Sequence, residues 1–276
     1  MSKSKQTISA VIMSFNCADL IEGTLKSVAD WVDEIVVIDG FSTDATVAIC
    51  ERYGAKVFQH KWNGYRFCEE RNLGIDKATS DWCLHIDPDE RATAEFKDAL
   101  LTLLSSEPEH NAYEFHKRNY FMGHKMRFGG WYHYSLHLFK RTKARYEGII
   151  HENLKVDGSV GRIEACIEHH PYPSIMHFAS RHNNYSSREA AMLLEENKSM
   201  PEADVLYNLK KKPLKRFWKF YFKKLAILDG KPGLVFSVLY AWVHFLNWVK
   251  YWELTHIKNN QVATEYAAPK APVSAI

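Results

Sequence analysis

The sequence predicts an α/β fold: a mostly parallel central sheet flanked by helices, with a helical C-terminal extension. Three observations predict it. Up to about residue 110, short β-branched apolar runs alternate with apolar residues at helical spacing. The runs themselves are nearly continuously apolar, as strands covered on both faces must be. Beyond residue 205 the composition turns basic and aromatic. A chain of 276 residues can bury one large core and carry a smaller appendage.

The elements follow in order. Ile8–Met13 is a strand ending at Ser14-Phe15-Asn16, and Leu20, Ile21, Leu25 and Val28 mark a helix. Glu34–Ile38 is a buried strand stopped by Asp39-Gly40. Thr43-Asp44 can cap a helix through Val47, Ala48 and Cys50. Lys56–Phe58 is a strand, Arg71–Lys77 a helix, and Trp82–Ile86 a strand. Residues 1–110 therefore form the half that carries the parallel sheet, and 111–205, rich in aromatics, histidine and arginine, an annex to it. In the latter, Ala112–Phe115 and Leu136–Phe139 are strand-like, and Ser187–Asn197 is a helix opened by Ser-Ser-Arg-Glu. Residues 206–260 are a basic, aromatic helical extension and 261–276 a loose tail.

Composition narrows the function. A net charge of +3 does not suggest a nucleic-acid partner. The five cysteines show no C-x-x-C spacing, so neither a disulfide framework nor a thiolate zinc site is expected. The short polar start before Ile8 does not read as a signal peptide, which points to the cytoplasm. His169, His170, His177 and His182 match no zinc spacing and read as core or exposed residues, with His169 able to reach the active site.

Ligands of such sheets bind beyond the carboxyl ends of the strands. The polar residues there are Ser14, Asn16, Asp39, Asp87 and Asp89. Asp87-Pro88-Asp89-Glu90 follows a buried strand, and two carboxylates one residue apart can hold one hard cation, Mg2+ or Mn2+. No G-x-G-x-x-G and no G-x-x-x-x-G-K-[ST] is present, so nucleotide must be held in another way. Asp39 can accept hydrogen bonds from a base or ribose, and Arg71 can face phosphate.

Four blocks, Ile8–Asn16, Ile35–Thr46, Arg71–Gly74 and Leu84–Glu90, resemble in order and spacing the family-2 inverting glycosyltransferases of the GT-A fold. The resemblance implies that Ser14, Asn16 and Asp39 contact the nucleoside with Arg71 close by. It implies that Asp87 and Asp89 flank the donor diphosphate and a divalent metal, with residues 1–110 as the nucleotide-sugar-binding half and 111–205 as the acceptor-binding half. Gly40, where the family often has Ser, and Pro88 inside the acidic motif are departures. Gly129-Gly130-Trp131-Tyr132, Leu138–Arg141, Ile150-His151-Glu152 and Asp229–Gly233 are similar to bacterial lipopolysaccharide inner-core β-glucosyltransferases. That likeness implies a UDP-sugar donor, a lipopolysaccharide-core or related glycolipid acceptor, and Glu152 as general base, with Glu90 and Asp157 as competitors. Trp131 and Tyr132 either stack on a sugar or pack in the core.

The extension carries no acid between Val205 and Leu228 but eight Lys/Arg. After it, Ser237, Tyr240, His244, Asn247 and Tyr251 form a polar stripe on an otherwise apolar helix. The expectation is peripheral attachment to an anionic membrane surface, the inner face of the inner membrane. The alternative is docking on the catalytic domain or on a second copy in a homo-oligomer. Two further functions stay open: a polyprenyl-phosphate glycosyltransferase with the same donor half, and a non-catalytic membrane scaffold that kept the fold.

Overall fold

The computed structural model describes residues 6–62, 67–148, 153–197 and 200–256. The strands are β1 (Ile8–Ser14), β2 (Glu34–Asp39), β3 (Lys56–Gln59), β4 (Trp82–His85), β5 (Glu90–Ala92), β6 (Ala112–Phe121), β7 (His124–Lys125), β8 (Tyr134–Lys140), β9 (Ala144–Glu147), β10 (Asn153–Val156) and β11 (Val160–Tyr172). The helices are α1 (Ala18–Val28), α2 (Thr46–Arg52), α3 (Phe67–Lys77), α4 (Ala94–Leu104), α5 (Ile175–Asn197), α6 (Glu202–Trp218) and α7 (Gly230–His256). They divide into two compact units, 6–118 with 133–171, and 119–132 with 172–256.

In the first unit β1 lies between β2 and β4, parallel to both, and β3 continues the parallel set beyond β2. The register pairs Ser14 with Asp39 and Val11 with His85, so the polar strand ends gather along one edge. Alternate residues feed two cores. Ile8, Ala10, Ile12, Ile35, Val37 and Leu84 pack with Leu25 and Leu100 on one face. Val11, Val36, Ile38 and Cys83 pack with Ile75 on the other. Helix α3 lies so close that a Cβ on Gly74 would come 2.5 Å from Val11 Cγ1.

Beyond β4 the order is β4-β8-β6-β11-β5, with β4–β8, β8–β6 and β11–β5 pairing antiparallel. The parallel set is thus one half of a mixed sheet. The reason is visible in β6, whose burial alternates residue by residue, the mark of a strand with one covered face. Strands β9 and β10 form a separate hairpin. Thr93 Oγ1 caps α4 by accepting the Phe96 N–H at 3.1 Å.

Glu34 ties three parts of this unit together. Its carboxylate accepts from Ser9 Oγ (2.6 Å), Thr79 N–H (2.8 Å) and Lys56 Nζ (2.7 Å). Burial pushes its proton affinity up, but Lys56, Ser9 and Thr79 outweigh burial and bring the pKa down to about 2.

The second unit is helical. Helix α5 begins twelve residues before the expected Ser187, at Ile175, where Ser174 Oγ accepts the His177 N–H at 3.1 Å. The Ser-Ser pair that resembles a cap instead lies mid-helix, with Ser186 and Ser187 hydroxyls donating back to Asn183 O. Lys250 on α7 is buried and donates to Asn183 Oδ1, Ser186 Oγ and Ser187 Oγ at 2.8–2.9 Å. Trp131 packs against Phe236 and Tyr172 in an aromatic core with Phe121 and Phe178, while Tyr132 is exposed. Asp229 accepts the N–H groups of Arg127 and Phe128. Gly233 meets the Ala226 carbonyl so closely that no Cβ fits there.

His182 Nε2 lies 2.9 Å from the Tyr172 hydroxyl. Burial, with Arg181 and His244 nearby, lowers its pKa to about 4.

Two predictions follow from these buried groups. Glu34→Ala removes an acceptor shared by three partners and is expected to cost about 2 kcal/mol, read as a lower urea midpoint; wild-type loses the same contribution as pH falls from 4.5 toward 2. His182 acts at milder acidity. Its pKa is depressed from 6.5, so the unfolded chain takes up the proton first and stability falls as pH drops from 6.5 to about 4. His182→Gln should flatten the pH dependence of thermal unfolding in that window.

Candidate active site

The parallel register sets the first part of the site. Ser14 Oγ donates to Asp39 Oδ1 at 2.9 Å, and Ser42 adds its hydroxyl to Oδ1 (2.6 Å) and its N–H to Oδ2 (2.8 Å). Asn16, at φ 43°, donates its N–H to Ser42 Oγ and accepts the Thr43 N–H at 2.8 Å each. Ser14, Asn16 and Asp39 therefore form one hydrogen-bonded loop at the carboxyl ends of β1 and β2. Asp44 closes it by accepting N–H groups from the first turns of both α1 and α2. At Gly40 a side chain is excluded, because a Cβ would lie 2.9–3.0 Å from Trp62 and Phe15.

The second part is the turn Asp87–Glu90 after β4. Thr24 Oγ1 on α1 donates toward Pro88 O (2.7 Å) and Glu90 O (2.8 Å). Arg91 crosses Gly23 and donates to Leu20 O (2.7 Å), Pro88 O (3.0 Å), Glu90 O (2.7 Å) and Thr24 Oγ1 (2.6 Å). The turn is thereby fastened to the sheet's first crossover helix.

Its acids are surrounded by bases. Asp87 Oδ1 lies 3.8 Å from Arg71 Nη2, and Oδ2 lies 3.9 Å from Lys117 Nζ. Lys117 pairs closely with Glu90, whose Oε2 accepts the Asp87 N–H at 2.8 Å. Burial works against the charge on Lys117, but Glu90 and Asp87 outweigh it and raise its pKa. Asp89 is buried with Oδ1 3.5 Å from His169 Nε2, and its carbonyl accepts the His170 N–H. The antiparallel pairing of β11 with β5, His169 opposite Glu90, delivers that histidine.

A cavity of about 320 Å³ opens beside this turn, lined by Arg71, Leu136, His137, Tyr146, Asn153 and Leu154. The Arg71 guanidinium sits 5.2 Å from the Tyr146 ring centroid. His85 Nδ1 lies 2.8 Å from the Tyr146 hydroxyl. Burial holds both His85 and His137 well below the ordinary histidine range, so both are neutral. Arg71 is then the charged member of the lining.

Among the described residues no group of three or more His, Cys, Asp or Glu is arranged to hold a metal. Asp89 and His169 nevertheless offer an oxygen and a nitrogen donor close together. Two protein ligands suit a cation whose shell is completed by substrate phosphates and water. The residues present fit that kind of metal and not an all-protein cage.

Of the residues singled out from sequence, Ser14, Asn16 and Asp39 come together, and Arg71 meets Asp87. Asp89 meets His169. Glu152 lies outside the described residues. Of its competitors, Asp157 is exposed and paired with Lys143, which lowers its pKa, and Glu90 is sequestered by Lys117. Lys117 and Tyr146 escaped sequence reasoning. A signal for Lys117 existed: it shares the buried face of β6 with Phe115 and Phe121.

Residues 9–168, more than half of the chain, match the family described as Glycosyl transferase family 2. The chain belongs to this family. As a family-2 glycosyltransferase it is 26% identical over 280 residues to an uncharacterized glycosyltransferase of Rickettsia conorii, covering 96% of this chain and 97% of the relative. It is 26% identical over 271 residues to the lipopolysaccharide core biosynthesis glycosyltransferase LpsC of Rhizobium meliloti, covering 92% and 95%. Among solved structures it is similar to Staphylococcus aureus TarS 1-349 in complex with UDP, at 26% identity and a TM-score of 0.37, over 41% of this chain and 36% of that one.

Lys117→Met leaves Glu90 and Asp87 facing an apolar group and is expected to destabilise the enzyme by about 3 kcal/mol. Adding Glu90→Gln should recover part of that loss. Urea unfolding of the single and double variants measures it, and additive losses would show that the pair is not coupled.

Proposed function

We propose that this glycosyltransferase moves a hexose, glucose, from a UDP-sugar to a lipopolysaccharide-core or related glycolipid acceptor with inversion. We further propose that it needs Mg2+ or Mn2+ and works on the cytoplasmic face of the inner membrane. The observation that carries the reading is the Asp87–Glu90 turn: a buried acidic turn bracketed by Arg71, Lys117 and His169, beside a cavity with one cationic wall. Glucose and UDP rest on the resemblance to inner-core glucosyltransferases. The acceptor class is supported by the relative of Rhizobium meliloti.

Each residue then has a task. Ser14, Asn16 and Asp39 hold the nucleoside, with Ser42 keeping the Asp39 carboxylate in position. Asp89 and His169, with Asp87 adjoining, would hold the metal, which supplies charge neutralisation to the diphosphate as a Lewis acid. Arg71 faces the same charge from the cavity side and stabilises it as the sugar–phosphate bond breaks. Glu152 takes the proton of the acceptor hydroxyl while its oxygen bonds to the anomeric carbon. The residue following it, Asn153, lines the cavity that Arg71 lines.

The test is release of nucleotide from UDP-, GDP- and CMP-sugars without acceptor, in Mn2+, Mg2+ or EDTA. One UDP-sugar is expected to be hydrolysed slowly and only with metal, and Asp89→Ala to lose at least about a hundredfold of that rate. Equal hydrolysis in EDTA would remove the metal from the proposal. Glu152→Gln should keep donor binding but lose transfer once the acceptor is supplied, and near-normal turnover would exclude it as base.

A further inference from the structure

Helix α7 is apolar on both sides. Phe236, Val243 and Trp248 are buried together with the polar Ser237, Asn247 and Tyr251, and Lys250 beside them reaches into α5. A second apolar side faces outward: Leu234, Val238, Phe245 and Trp252 are all exposed, Val238 at 49%. These residues recur at steps of four and seven, which at 3.6 residues per turn keeps them on one side of the helix. Helix α6 does the same. Leu214 and Trp218 are 65% and 63% exposed, four residues apart. After Trp218 the helix widens into a π turn, Lys219–Lys223, and Phe222 is exposed in turn. The connection to α7 then presents Leu225, Ile227 and Leu228, the last at 61%.

Large apolar side chains repeatedly turned to solvent along two helices and their connection mark a surface that some other phase covers. The charges around them identify the phase. Lys211, Lys212, Lys215, Lys219, Lys223 and Lys224 are exposed on the same segment, and no acid lies between Val205 and Leu228. A second copy of this face would set lysine against lysine. An anionic bilayer offers both hydrocarbon for the stripe and negative headgroups for its rim.

We infer that the outward faces of α6 and α7, with the Leu225–Leu228 connection, are a lipid-inserting surface lying in the interface of an anionic membrane. This deepens the membrane location proposed above and rests on that reading. Helix α7 is long and apolar enough to cross a bilayer. Its inward face argues for lying in the interface, because Lys250 and its partners on α5 would lose their hydrogen bonds if lipid surrounded the helix.

Flotation of the full chain with phosphatidylcholine vesicles, with and without phosphatidylglycerol, tests the inference. Binding is expected only with the anionic lipid and is expected to weaken with salt. Two paired variants, Leu225→Glu with Leu228→Glu and Val238→Glu with Phe245→Glu, should each weaken binding about tenfold or more. Both change exposed positions, so circular dichroism melting should match wild type and confirm that they fold. Donor hydrolysis on the same samples separates the two readings. Hydrolysis without flotation overturns the lipid surface and leaves the transferase. Flotation without hydrolysis leaves the surface and counts against the donor assignment. Full binding by both glutamate pairs overturns the inference. So does a dimer in light scattering that Val238→Glu with Phe245→Glu dissociates, since a second copy would then be the occupant.

Discussion

A guanidinium taken out of water must find acceptors, and Arg91 finds them in Leu20 O, Pro88 O, Glu90 O and Thr24 Oγ1. Those acceptors belong to two segments more than sixty residues apart: helix α1 and the acidic turn. Satisfying Arg91 therefore fixes where the turn stands relative to the sheet. Gly23 is the complement of this clasp, since any side chain there would occupy the path of Arg91. From the turn outward, β5 recruits β11, and β11 brings His169 to Asp89. The site is thus assembled by backbone acceptors and strand register before any ligand arrives.

Three acids are gathered within it beside two permanent cations and a histidine. Asp87, Asp89 and Glu90 face Arg71, Lys117 and His169 at 3.9 Å or less. Lys117 is committed to Glu90, while Arg71, 3.8 Å from Asp87, also lines the cavity. Neutral His85 and His137 add no further positive charge beside it. The proposed ligand, a nucleotide sugar bound with a divalent metal, is an anion that brings its own counter-cation to this set of charges.

The first half of the fold was legible because each parallel strand is a mainly apolar run closed by a polar residue. Ser14, Asp39 and Asp87 stand where those runs stop, and the register brings the first two together. The antiparallel half was less legible, since β6 alternates and includes Lys117 on its buried face. No single-sequence pattern states that a lysine there has Glu90 waiting for it. Helix α5 misled through Ser186 and Ser187, whose hydroxyls bond mid-helix as readily as they would cap. In α7 the sequence shows a polar stripe on an otherwise apolar helix, but periodicity does not say which residues meet solvent. Lys250 and its α5 partners decide that, and they lie more than sixty residues apart in sequence.

Leu225, between the π turn capped by Lys224 and the 3-10 turn Ala226–Asp229, sits at φ 60°, in the left-handed region that a side chain enters at a cost of about 1 kcal/mol. The usual occupant of such a helix stop is glycine. A glycine at 225 would relax the backbone and at once remove a large apolar group from the outward surface. Heat resistance and the proposed membrane affinity therefore pull this one position in opposite directions, and a screen that rewards melting temperature alone would select against the proposed attachment.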